Sequence, residues 1–329
     1  MKKTLILLLF SGIFINSLLS QDTIQHYYDK DWKKISNKNA AIYYGKSFKN
    51  SNKLWVTKDY FISNQLQMVG TFKSKKLKVK LGHFTYYHEN GKLKSEGNYL
   101  NGKNDGKWHY YYENGQLKSE GNYLNDKHEG KWNYYYDNGK IKSEGNYLNG
   151  NSENIWKYYH ENEQLESEGN YLNDKREGIW SSWYDDGQKK TTGKYVANNA
   201  EDVWEFWHKN GKKQAKGSYL NDKKKGLWSY WYEKGKLKDE ETFVNGVLSS
   251  SVGYFENGIM KYKGAYVDGK AQGEFTYWNV DGRIISKGKF NSGKRVGEWT
   301  RSFRDNDLKI YYDKGTILGK EFGGIVRTE

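Results

Sequence analysis

GKWHYYYENGQLKSEGNYLNDKHE, residues 106–129, is the stretch that decides the fold. Asn114-Gly115 sits between two apolar runs, and an Asn-Gly pair there predicts a two-residue type I′ hairpin turn. Counting outward pairs Tyr112 with Leu117, Tyr111 with Lys118, Tyr110 with Ser119, His109 with Glu120 and Trp108 with Gly121. Strand side chains alternate between faces. One face therefore carries Trp108, Tyr110, Tyr112, Leu117, Ser119, Gly121 and Tyr123; the other carries Lys107, His109, Tyr111, Lys118, Glu120 and Leu124. The missing side chain of Gly121 leaves room for the Trp108 indole. His109 opposite Glu120 and Tyr111 opposite Lys118 are compatible cross-strand pairs. A second turn at Asn125–Gly130 pairs Tyr123 with Trp132, which puts the next hairpin in the same sheet, in phase.

Variants of this stretch fill the chain. The leading aromatic recurs every 24 residues as Phe84, Trp108, Trp132, Trp156, Trp180, Trp204 and Trp228, then again as Phe275 and Trp299. The strand glycine recurs from Gly97 to Gly217, then at Gly264 and Gly288. Length alone, at 329 residues, suggests two domains. A fixed internal period overrides that, because stacked repeats grow in one dimension without one large core. The chain has 30 Tyr, 13 Trp, 36 Gly and no Pro, where average usage would give roughly 16 Pro. A long sheet with Gly, Asn and Asp turns fits, since proline removes a ladder donor. About twenty strands at ~4.8 Å spacing make a ribbon on the order of 100 Å long, which must twist.

The organisation reads as a signal peptide at 1–20, a degenerate N-terminal β cap at 21–75, a repeat array of about nine to ten hairpins at 76–304, and a C-terminal capping hairpin at 305–329. Lys2-Lys3 and the apolar run Leu5–Ile15 form the basic and hydrophobic regions of an export signal. The expected location is exported: periplasmic, outer-surface or secreted. Cysteine is absent, which excludes a disulfide framework, a lipoprotein anchor and thiol chemistry. Formal charge is +14, mostly Lys in turns and opposite Glu, as expected of a solvated surface that also attracts anionic ones. In the cap, Ala41–Tyr44, Lys53–Phe61 and Leu66–Phe72 read as strands, with a helical turn near Ser36–Ala40. Around Glu241–Gly253 the repeat is one residue short. Its Trp slot falls on Ser251 and its glycine slot on Glu241. Trp and Gly are thus lost from adjacent hairpins, a local weakening rather than a swap, and a kink or hinge is expected there.

The run from Glu96 to Gly115, Glu-Gly-Asn-Tyr-Leu-Asn-Gly-Lys-x-x-Gly-x-Trp-x-x-Tyr-Tyr-x-x-Gly, resembles the MORN-repeat variant of bacteria over about 82–304. The resemblance implies an all-β fold, an elongated antiparallel meander of hairpin repeats. It offers no catalytic residue. Some bacterial members are labelled antitoxin or immunity proteins, while eukaryotic members tether membranes and scaffold complexes. The 24-residue period departs from the eukaryotic 23, and an export signal sits poorly with a cytoplasmic antitoxin.

Motifs for chemistry are weak. Gly97–Lys103 and Gly264–Lys270 look like phosphate loops but lack the following Ser or Thr and a helix. The seven His show no ligand spacing; His88, His160 and His208 fill the Tyr112 slot as aromatic packers. Asn173–Gly178 lacks calcium-loop spacing. No Ser/His/Asp or paired-carboxylate arrangement stands apart from the repeat, so no enzyme activity, metal or cofactor is expected. One feature remains for binding. Tyr87, Tyr111, Tyr135, Tyr159, Trp183, Trp207, Trp231 and Trp278, with Tyr254 in the short hairpin, form an aromatic ladder on the face opposite the main Trp set. Either the rings brace one another and nearby Lys stems, or they offer stacked aromatics beside cations to a partner. A protein partner is expected first, a polysaccharide or anionic envelope surface second, and nucleic acid not at all. The main Trp set, Trp108 to Trp228 with Trp299, is the structural core of the repeats.

Overall fold

The computed structural model describes residues 23–303, 306–322 and 325–328, apart from the side chains of 303, 306, 322 and 325–328. The expected signal segment lies outside the described residues. The fold is all-β, an antiparallel meander of repeated hairpins, and the described residues fall in two compact units: 23–105 with 113–115, and 106–112 with those from 116 onward.

The first unit holds β1 (Ile24–Tyr28), β2 (Lys34–Ile35), β3 (Tyr43–Lys49), β4 (Trp55–Phe61), β5 (Leu66–Phe72), β6 (Gly82–Tyr87) and β7 (Leu93–Leu100). A single 3-10 turn, Lys38–Ala40, is capped by Asn37, whose Oδ1 accepts from the Asn39 N–H. Strand β1 pairs with both β2 and β3. Met68, Phe72 and Phe84 form the apolar core, with Trp55, Leu77, Tyr86 and Tyr99 packed against it.

The second unit holds β8 (Lys103–Tyr111), β9 (Leu117–Leu124), β10 (Lys127–Tyr135), β11 (Ile141–Leu148), β12 (Asn151–Tyr159), β13 (Leu165–Leu172), β14 (Lys175–Trp183), β15 (Lys189–Val196), β16 (Asn199–Trp207) and β17 (Lys213–Leu220). It continues with β18 (Lys223–Trp231), β19 (Leu237–Val244), β20 (Val247–Tyr254), β21 (Met260–Val267), β22 (Lys270–Trp278), β23 (Ile284–Asn291), β24 (Lys294–Phe303), β25 (Asn306–Asp313), β26 (Thr316–Phe322) and β27 (Ile325–Thr328). The hairpin β25–β26 is therefore not the last element, because β27 adds to its edge.

The type I′ turn expected at the Asn-Gly pair is not there. At the Asn-Gly turn only the glycine is left-handed, Gly115 at φ 91°. The Tyr112 N–H donates to the Gln116 carbonyl, and in the next repeat the Gly139 N–H donates to the Tyr136 carbonyl. This is a type I turn closed by a glycine bulge. The asparagine is kept out of the left-handed region by its own side chain: Asn138 Oδ1 accepts from the Lys140 N–H at 3.0 Å. The type I′ turn lies at the other link, where Asn125 and Asp126 both have positive φ. Tyr111 consequently pairs with Leu117, while the register Tyr110–Ser119, His109–Glu120, Trp108–Gly121 holds, Lys118 being the extra residue.

A wide bulge distinguishes the second connection. Tyr123 pairs with His128 rather than Trp132, and Trp132 pairs with Gly121 after two extra residues, Gly130 and Lys131. The bulge opens with a left-handed residue, Gly130 at φ 66° or Asn154 and Asp202 at φ 58°. It frees the Asn122 carbonyl, which accepts from the Trp132 indole N–H at 3.0 Å. A Cβ on Gly121 would lie 2.2 Å from Trp132 Cδ2. Gly121 thus seats the indole of the following repeat, Trp132, and not Trp108. The same seat joins Gly145 to Trp156, Gly193 to Trp204 and Gly217 to Trp228.

This seat explains the short repeat. Glu241 and Ser251 pair directly. The glycine and the ring it would have seated are lost together, so the change is a coordinated swap. Only Ser249 is extra in β20, and no residue there is left-handed. A second exchange follows: Gly253 replaces the usual Tyr, and its cross-strand partner Tyr262 replaces the usual Ser. The Tyr262 ring covers Gly253, and its hydroxyl donates to Asp239 Oδ1 at 2.9 Å. Ser251 remains buried. Strand pairing runs unbroken from β19 through β20 to β21.

Candidate functional site

On one face the leading aromatics are buried; Trp108, Trp132, Trp228 and Trp299 are each 2% exposed or less. The indoles of Trp132, Trp156, Trp180, Trp204 and Trp228 each meet the preceding Tyr edge-to-face, as in Tyr123–Trp132 at 5.2 Å and Tyr219–Trp228 at 4.9 Å. Such pairs contribute about 0.5–1.5 kcal/mol beyond area burial. Trp156, Trp180 and Trp204 sit in the same layer and are also buried. Cations add cover to three of the indoles. The Arg176 guanidinium is 4.9 Å from the Trp180 ring, Lys224 Nζ 4.6 Å from Trp228 and the Arg295 guanidinium 4.3 Å from Trp299. His128 fills the same slot against Trp132. Reading Lys and Arg only as solvated turn residues missed these contacts; Arg176, Lys224 and Arg295, each four residues before a Trp, were the available signal.

The ladder residues are all half-buried on the opposite face. They pair with the residue after the turn: Tyr87 with Leu93, Tyr159 with Leu165, Trp183 with Lys189, Trp207 with Lys213, Trp231 with Leu237 and Trp278 with Ile284. In the middle of the array their backbone carbonyls are capped by the Tyr112 slot of the preceding repeat: the Tyr112 hydroxyl donates to Tyr135 O at 2.7 Å, and the Tyr184 hydroxyl to Trp207 O at 2.8 Å. His160 Nε2 and His208 Nε2 make the same bond to Trp183 O and Trp231 O. These histidines are hydrogen-bonding caps, not aromatic packers.

The ladder is chemically divided. In the early repeats it is clamped: Glu120 Oε1 accepts from the Tyr135 hydroxyl at 3.0 Å and from Asn133 Nδ2 at 3.2 Å, and Lys107 Nζ lies 3.0 Å from Glu120 Oε2. The next repeat reproduces this with Glu144, Tyr159 at 2.8 Å and Lys131 at 2.7 Å. The Lys107 hydrogen bond holds the Glu120 carboxyl below its ordinary range, and the Lys131 bond does so for Glu144. Burial, followed by the Glu120 bond, pushes the Tyr135 phenol up to about 12.

In β12, β14, β16 and β18 the Lys slot becomes apolar: Ile155, Ile179, Val203 and Leu227, each at least half exposed. Four residues further along, the same strands carry Tyr159, Trp183, Trp207 and Trp231. Among the described residues, the indole N–H groups of these three Trp make no hydrogen bond, whereas that of Trp132 does. Lys189 Nζ sits 5.5 Å over the Trp207 ring. An aliphatic column thus runs beside an indole column on one face of β14, β16 and β18.

A polar cluster in the first unit was missed by sequence reading. His26, Gly45 and Asp59 lie side by side on β1, β3 and β4. His26 Nε2 is 3.1 Å from Ser47 Oγ, which is 2.9 Å from Thr57 Oγ1. All four polar side chains, His26, Ser47, Thr57 and Asp59, are buried. His26 Nδ1 and Asp59 Oδ1 have no partner among the described residues, and Ser47 is fully buried against Thr57, so the group lacks the geometry of a nucleophilic triad. Burial pushes the Asp59 carboxyl up to about 7, with Lys80 opposing, and pulls His26 down.

Among the described residues no helix is long and apolar enough to cross a membrane. The chain resembles the TcdB2-TccC3-Cdc42 crystal structure at 9% identity and a TM-score of 0.17, over 86% of this chain and 18% of that one. It resembles a porin-like protein from Bacteroides uniformis at 8% identity and a TM-score of 0.16, over 84% and 92%. Likenesses this faint carry no argument about fold or function. No curated protein matches the chain. A family model described as a MORN repeat variant matches residues 80–101, 104–125, 129–149, 152–173, 176–197, 203–221 and 224–245. With that tandem run on hairpins of one register, the chain belongs to the MORN repeat variant family.

Proposed function

We propose that this MORN-repeat protein is an exported, non-enzymatic scaffold that docks a protein partner on the polar face of β14, β16 and β18. The observation that carries this reading is the paired column of Ile179, Val203, Leu227 and Trp183, Trp207, Trp231. Exposed aliphatic side chains that recur with half-buried indoles on one sheet face are costly in a solvated protein and mark an interaction site. Tryptophan, with a large apolar body and an N–H left free, is the residue type that dominates protein–protein hot spots. The aliphatic neighbours favour a protein over a polysaccharide or an anionic surface, which would be met by rings and cations alone. The basic n-region and apolar run of residues 1–20 support export.

The test is affinity capture from the envelope of the native cell with the mature chain and with the triple variant Trp183→Ala/Trp207→Ala/Trp231→Ala. The same protein partner should be retained by the wild type and lost by the variant, with thermal unfolding little changed. Equal capture by both chains would refute the assignment of the face. Recovery of the chain from cytoplasm rather than envelope would refute export.

A further inference from the structure

We propose that the N-terminal unit carries a second, separate binding site, for a neutral carbohydrate of about one hexose unit, in the cavity between Trp32 and Asp59. It is independent of the Trp face of β14–β18. The cavity is about 380 Å³ and is lined by Tyr28, Trp32, Phe72, Asp59, Gln67 and Lys80 among others, a size within the range of small-molecule sites. Three observations converge there. Asp59 is 5% exposed and forms no side-chain hydrogen bond among the described residues; its Oδ1 is packed over Gly45, which leaves the other carboxyl oxygen to the cavity. An unpaired carboxyl in a buried wall calls for a donor, which a ligand hydroxyl would supply. Two bulky residues of the wall, Trp32 at φ 59° and Leu77 at φ 53°, hold left-handed backbone that disfavours such side chains. The Trp32 indole is stacked on Tyr43 at 4.1 Å and remains 40% exposed, so its orientation is fixed while its surface stays available.

Charge selects the ligand class. A cation would face Lys80, whose Nζ is anchored 2.7 Å from the Tyr86 hydroxyl and 3.2 Å from that of Tyr99. An anion would face Asp59. Lys80 and Asp59 form no ion pair with each other. A neutral ligand with several hydroxyl groups meets neither repulsion. Its O–H donates to Asp59, its oxygens accept from Lys80 and the Gln67 amide, and its C–H face packs on the Trp32 and Tyr28 rings.

The full chain should be titrated with the methyl glycosides of glucose, galactose, mannose and N-acetylglucosamine, by saturation-transfer NMR and calorimetry. At least one glycoside should bind saturably at one site per chain. Trp32→Ala, at an exposed position, and Asp59→Leu should each weaken it by at least about ten-fold, while the triple Trp variant of β14–β18 binds as the wild type does. No saturable binding by any of the glycosides, or undiminished binding in Trp32→Ala, would overturn the proposal. Binding of choline or ethanolamine in their place would overturn the ligand class.

Discussion

Repeats 103–159 and repeats 175–231 share one backbone and differ in one surface. Both use the type I turn with a left-handed glycine, the wide bulge, the seat glycine and the buried indole. On the opposite face, the first group ties Tyr135 and Tyr159 directly to Glu120 and Glu144, which also hold Lys107 and Lys131. The second group replaces the Lys by Ile179, Val203 and Leu227 and the Tyr by Trp. The ladder is therefore not one feature. Its early rungs are internal bracing, and its middle rungs are surface. The repeat requires only its turn, seat and ring slots, so the remaining face is free to take on a local task.

Three perturbations probe this division. The largest effect belongs to the layer both groups share. Gly121→Val and Gly193→Val each place a side chain within about 2 Å of indole carbons and should destabilise their flanking strands equally, by about 3 kcal/mol or more. Hydrogen exchange on 103–159 and 175–231 checks this, and unequal losses would show that the layers differ. A smaller effect should separate the groups. Glu120 and Glu144 have folded pKa values below their unfolded ones, so their stabilisation is present above the unfolded carboxylate value and is lost as pH falls through the folded one. Below about pH 4, exchange across 103–159 should rise by the equivalent of about 1 kcal/mol per clamp. Residues 175–196, which lack such a clamp, should change less. The smallest effect lies at the turn between the two groups. Glu163 occupies the turn-glycine slot at φ 71°, and Glu163→Gly should raise the melting temperature through a gain of up to about 1 kcal/mol. Its exposed contact with Lys140 contributes little.

Much of this was legible in the sequence. The 24-residue spacing of Trp and Gly predicts the hairpins and the pairing of Trp108 with Gly121. The turn type was not legible, because an Asn-Gly pair fits two loops, and the choice rests on an Asn side chain accepting a backbone N–H. The seat was misread by one repeat, because the indole leans across the bulge toward the preceding strand, and a bulge has no letter of its own. That error also hid the compensation at Glu241 and Ser251. The polar cluster of the cap was out of reach. His26, Ser47 and Asp59 are brought together only by β1 pairing past β2 onto β3, in a stretch with no period to count. The ladder slot was legible; its division was also written in the letters, in the change from Lys107 and Lys131 to Ile155, Ile179, Val203 and Leu227.

The most direct test is hydroxyl-radical footprinting of the chain with its captured partner. Labelling of Trp183, Trp207 and Trp231, with Ile179 and Val203, should fall on binding, while Tyr111, Tyr135 and Tyr159 label as they do in the free chain. Protection spread evenly along the ladder, or confined to the early repeats, would contradict the account.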